Sequence, residues 1–139
     1  LTKDVSEYLN ENLKLNFKSK EKKYKIAYHS ACSMQHGQKV HNQPMELLTK
    51  TSNKIMEIPE GHICCGSAGT YNILQTEIAK ELLRKKVKNI ESLKADFIST
   101  GNIGCITQIS NGTKTPILHT IEILDWYTGG PKPKVLQRN

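Results

Sequence analysis

Residues 62–70 read His-Ile-Cys-Cys-Gly-Ser-Ala-Gly-Thr, and the adjacent thiols of Cys64 and Cys65 are the hardest feature for any fold to accommodate. Vicinal cysteines make a poor structural disulfide, because an eight-membered ring strains the intervening peptide and departs from the usual Cα separation. Both side chains can instead enter one cavity as thiolates, with Gly66, which lacks a Cβ, letting the backbone turn sharply. A free cysteine is also often no more than a small buried hydrophobe. The two remaining cysteines bear on that choice.

Cys32 lies 31 residues before the pair (33–63) and Cys105 lies 39 after it (66–104). Gaps this wide exclude local chelation, and with no Cys-x-x-Cys present a paired zinc-knuckle is excluded too. The fold itself must gather the ligands. Hydrophobic periodicity indicates how. Residues 24–29 alternate, with Tyr24, Ile26 and Tyr28 opposed to Lys25, Ala27 and His29, as a strand requires. Further strands are predicted at 54–59, stopped by Pro59, at 95–100 and at 116–119. Between 77 and 94, Ile78, Ala79, Leu82, Leu83, Val87, Ile90 and Leu93 keep to one helical face, with Lys80, Arg84, Lys85 and Lys88 largely opposite. Other helices are predicted at 4–15, from Pro44 to about Asn53, around Cys105, and after a Thr120 cap.

Strands alternating with helices predict an α/β fold, of two or three layers, with a mostly parallel four-stranded sheet and crossover helices. Ligands of such sheets collect beyond the carboxyl ends of the strands. Cys32 follows the first strand, Cys64 and Cys65 the second, Cys105 the third, and His119 ends the fourth, so all fall at one edge. The 139 residues suit a single domain, placed at 1–128, with the Gly-Gly-Pro-Lys-Pro-Lys region opening a flexible, disordered tail over 129–139.

Composition narrows the function classes. No apolar run approaches the ~18 residues of a membrane span. The net charge of +7 is spread over a linker, one helix face and the C-terminal region, with few aromatics interleaved, which argues against nucleic acid. No secretory leader is visible, so four cysteines point to metal or redox chemistry more than to a disulfide framework. The first residue, Leu1, is compatible with a piece of a longer chain. His29, His36, His41, His62 and His119, taken singly, are each more often surface or core residues than ligands.

The layout resembles the cysteine-rich CCG domain family, found in heterodisulfide reductases, lactate utilisation proteins and the glycolate oxidase iron-sulfur subunit. The family pattern is a cysteine, a Cys-Cys-Gly, and a Cys-x-x-Cys pair; Cys32, Cys64, Cys65 and Cys105 match it, and Asn102 stands where the first cysteine of the last pair would be. Residues 64–71 (Cys-Cys-Gly-Ser-Ala-Gly-Thr-Tyr), 101–108 (Gly-Asn-Ile-Gly-Cys-Ile-Thr-Gln) and 119–126 (His-Thr-Ile-Glu-Ile-Leu-Asp-Trp) are similar to the glycolate oxidase branch, and the resemblance covers about residues 1–130. It implies an electron-transfer module holding an iron-sulfur cluster of the 4Fe-4S type on the four cysteines, with Asn102 and His119 nearby. The same thiolates could take one tetrahedral Zn(II). The implied partners are flavin-containing oxidase subunits and the rest of an iron-sulfur subunit, in the cytoplasm or at the inner face of a membrane through those partners. The chain lacks the ferredoxin-like cysteine motifs of that subunit, so it is expected not to oxidise glycolate by itself. A structural zinc or metal-free interaction domain is the alternative. Thiol redox catalysis by Cys64 or Cys65 ranks behind both, since the next helix begins some ten residues later.

Overall fold

A computed structural model describes residues 8, 9, 17, 22–30, 43–60 and 76–137. In chain order these form β1 (Lys25–His29), α1 (Gln43–Thr49), β2 (Lys54–Glu57), α2 (Thr76–Ser92), β3 (Phe97–Thr100), α3 (Ile103–Ser110), β4 (Ile117–His119), α4 (Thr120–Tyr127) and a 3-10 turn (Lys134–Leu136). Of the helix predicted at 4–15 only Tyr8 and Leu9 are described, and both are helical.

The strands form one sheet in the order β2-β1-β3-β4, every neighbouring pair parallel. Parallel neighbours cannot be joined by a hairpin and need crossovers between them. Burial follows the order. β1 is buried everywhere except Lys25 and β3 at all four positions, while most positions of β2 and β4 are exposed or half-buried. A central parallel strand is covered on both faces, so both of its side-chain sets must be tolerated in the interior.

Successive strand residues point to opposite faces. On one face Ile26, Tyr28, Phe97 and Leu118 pack against α1, through Leu47 and Leu48, and α4, through Ile123, Leu124, Trp126 and Tyr127. On the other, Ala27 and Ile98 meet Ile90 of α2 and Cys105 and Ile109 of α3. The protein is therefore a three-layer α/β/α sandwich with two cores divided by the sheet. At the amino ends of the strands, Lys25 N–H donates to Asp96 Oδ2 and Asp96 N–H to the Lys25 carbonyl, both at 2.8 Å.

Several elements depart from the sequence reading for local reasons. α1 stops at Thr49, and Asn53 instead ties the next strand down, accepting from Tyr24 N–H at 2.9 Å and donating to Thr51 Oγ1 at 3.0 Å. The cap of α4 is His119, not Thr120, whose hydroxyl lies 2.9 Å from Ser99 Oγ across the sheet. Ile78, assigned to the buried stripe of α2, is 48% exposed, and Lys86 is fully buried on that helix. The segment expected to be a disordered tail carries the 3-10 turn, with Pro133 buried and Leu136 part of the first core.

Candidate functional site

Three strands finish in one row: His29 pairs with Thr100, and Thr100 with His119. Residues of one row face the same side of a parallel sheet, so the row extends the surface bearing Ala27 and Ile98 towards the carboxyl edge. His29 Nδ1 lies 3.3 Å from Thr100 Oγ1, and both side chains are buried. In sequence β1 is followed by Cys32 and β2 by Cys64 and Cys65, while β3 leads at this edge into α3 and Cys105. Cys32, Cys64 and Cys65 lie outside the described residues, as do His36, His41 and His62.

Cys105 shows how the edge is built. It is the third residue of α3, 5% exposed, with its sulfur in no disulfide. The Gly101-Asn102 turn ends β3 and starts the helix. Asn102 is in extended conformation and its Oδ1 accepts the Cys105 backbone N–H at 3.1 Å, a standard use of asparagine at an N-cap. The first turn of a helix favours negative charge through its aligned backbone dipoles, so a thiolate at Cys105 is well placed. Because Oδ1 serves the cap, the Nδ2 donor is the end of Asn102 suited to a bound group.

His119 is committed in a similar way. Its Nδ1 accepts Ile121 N–H at 3.1 Å, while its own backbone N–H donates to Glu122 Oε1 at 3.3 Å, a reciprocal box with an imidazole in place of a hydroxyl. A neutral ring accepting at Nδ1 carries its proton at Nε2. His119 therefore offers a hydrogen-bond donor; metal ligation through Nε2 would require moving that proton to Nδ1 and losing the cap.

Two residues that sequence reasoning did not single out complete the edge. His29 is 2% exposed, and burial, reinforced by the positive charge of Lys86, pushes its pKa from 6.5 down to about 3, so the ring is neutral at physiological pH. Lys86 itself is 0% exposed. The available signal was spacing: residue 86 is four on from Leu82 and four before Ile90, and so belongs to the apolar stripe of α2 whatever its charge.

The donor set suits a metal-sulfur group. One thiol sits on a helix first turn behind the Asn102 cap, His119 ends the neighbouring strand β4, and the buried Lys86 lies on the same side of the sheet. Among the described residues no three Cys, His, Asp or Glu side chains converge as a metal site. Nor, among them, is any helix long and apolar enough to cross a membrane.

Fold and edge together define a parallel α/β domain that places Cys105 at the carboxyl end of its sheet. The model of the cysteine-rich domain (CCG) family matches residues 26–110, and the chain belongs to that family. It is similar to the glycolate oxidase iron-sulfur subunit of Escherichia coli (strain K12), with 37% identity over 101 residues that cover 73% of this chain and 25% of that protein. It is also similar to lactate utilization protein A of Oceanobacillus iheyensis, at 29% identity over 78% of this chain and 47% of the relative. The same protein from Halalkalibacterium halodurans is 28% identical over 89% of this chain and 53% of the relative. The chain thus spans between a quarter and about half the length of these curated relatives.

Proposed function

We propose that this domain holds an iron-sulfur cluster of the 4Fe-4S type on Cys32, Cys64, Cys65 and Cys105 and serves electron transfer in a multisubunit enzyme that oxidises 2-hydroxy acids such as glycolate or lactate. The observation that carries the reading is the placement of Cys105: buried, on the first turn of the helix that leaves β3, at the edge towards which β1 and β2 also run. Membership of the cysteine-rich domain family and the names of the relatives support it. The vicinal pair favours a multi-iron group over zinc, since each thiolate can reach a different metal atom, whereas both reaching one zinc would strain the peptide between them.

Such a cluster supplies a site that takes up and gives up single electrons. The chain's own residues do the rest. The thiolates bind it, the Asn102 cap orients Cys105, and Ile98 and Ile109 beside Cys105 keep water from that sulfur. Asn102 Nδ2–H and His119 Nε2–H are the candidate donors to its sulfur atoms. Removal of hydride from substrate belongs on this reading to a flavin-containing partner subunit, and the assembly is placed in the cytoplasm or on the inner face of a membrane. The cysteine-rich unit, read from the sequence as residues 1–128, takes in the segment that follows as well, because Leu136 packs into its first core.

Protein prepared without oxygen and supplied with iron and sulfide is expected to be brown, with a charge-transfer absorption and matching iron and acid-labile sulfide. Cys105→Ser should lose at least half of that iron while keeping its circular dichroism. A colourless wild-type protein containing neither iron nor sulfide, or containing one zinc instead, overturns the proposal.

A further inference from the structure

The fully buried Lys86 plays no part in the ligand set. α2 links two parallel strands and so runs back against their direction. Its Ile90 packs with Ala27 and Ile98. The four residues from Ile90 back to Lys86 span about 6 Å along the helix axis, close to the advance of about 6.6 Å over the two strand residues from Ala27 to His29. Lys86 therefore lies over the last row of the sheet, where His29 and Thr100 meet. The positive charge of Lys86 is, after burial, the second cause that lowers the His29 pKa, in keeping with that placement. Cys105 belongs to the same core as Ile90 and Ala27.

We propose that Lys86 is a positioning residue for the iron-sulfur group: its ammonium is the counter-charge built beneath the thiolate edge, and it raises the electron affinity of the bound cluster. This rests on the iron-sulfur reading above. A buried cation is stable where negative charge is close, and thiolates around a cluster supply net negative charge. Adding one electron forms and breaks no bond and deepens that negative charge by one unit, so a fixed cation nearby favours the reduced state over the oxidised one.

The test compares wild type, Lys86→Met and Lys86→Arg, each loaded anaerobically as the whole chain, analysed for iron and sulfide, and titrated with dithionite while the reduced cluster is followed by electron paramagnetic resonance. Lys86→Met is expected to keep its iron and sulfide, with the ratio of reduced to oxidised cluster at a given potential about tenfold lower, which is about 59 mV for a one-electron couple. Lys86→Arg should stay within about twofold of wild type. Cluster retained by folded Lys86→Arg but lost from folded Lys86→Met also supports the proposal, because the two differ in charge. An unchanged midpoint in Lys86→Met, or loss of the cluster from both variants, overturns it. If Lys86→Met does not fold, acetylated lysine introduced at position 86 keeps the stem and removes the charge; the same tenfold shift is expected, and an unshifted midpoint overturns the proposal. A wild type with no iron or sulfide defeats the iron-sulfur reading itself, and is told apart by the metal analysis.

Discussion

His29 illustrates how strongly this edge departs from water. An imidazole at the end of a central strand, covered by α2 and beside a buried ammonium, refuses a proton that it would accept in the unfolded chain, and its pKa falls from 6.5 to about 3. The stability this contributes is complete above pH 6.5, where neither state is protonated. It is lost as pH falls towards 3, because only the unfolded state gains the proton over that window, at up to about 1.4 kcal/mol per unit. Between pH 7.5 and pH 5 the wild type is therefore expected to lose about 2 kcal/mol more than His29→Gln, which does not titrate. Urea midpoints at the two pH values measure the difference, and parallel losses in both proteins would contradict a buried neutral ring. Asn102 makes a different trade. Its oxygen secures Cys105 N–H, so Asn102→Ala should cost about 1 kcal/mol in thermal melts while Asn102→Asp keeps the cap.

Among the elements, strands and the long helix announce themselves by period. Alternation in 24–29, short apolar runs at 54–59 and 95–100, and the stripe of α2 each reflect which faces must be dry. Boundaries were less legible, because they are set by single hydrogen bonds: an imidazole caps α4 where a threonine beside it has the more usual capping side chain. Lys86 was hidden for another reason. Charged residues drop out of a hydrophobic period, yet position 86 sits on the stripe, and only the packed sheet shows that the stem is enclosed. The end of α2 holds a further local strain. Lys94 has φ 50°, a left-handed conformation at the point where the helix turns into β3. A Cβ there costs about 1 kcal/mol relative to glycine, so Lys94→Gly is expected to raise the melting temperature by about 2–4 °C. An unchanged or lower melting temperature would show that the Lys94 side chain contributes more than its backbone strain costs.

At the scale of the whole molecule, the placement of a thiol at the sheet's carboxyl edge was readable because topology alone determines it: parallel strands joined by crossovers bring their following turns to one side. What closes the opposite face was not readable, since Gly129, Gly130, Pro131 and Pro133 look like the composition of a disordered tail. These residues instead turn the chain back. Gly129 takes φ 118°, and a Cβ on Gly130 would collide with the Asp125 carboxylate. The turn lets Leu136 reach the core beneath α1 and α4, where it is 8% exposed. Removing that side chain leaves a void in the core that Trp126 and Tyr127 share, and as Leu136 is not fully enclosed the cost should fall at the low end of Leu→Ala losses, about 2 kcal/mol. Leu136→Ala is thus expected to lower the melting temperature by about 4–8 °C, and deletion of 129–139 to lower it at least as far, whereas Lys134→Ala, at an exposed position, should leave it unchanged. Equal melting temperatures for the full chain and the deletion would return this segment to the status of a tail.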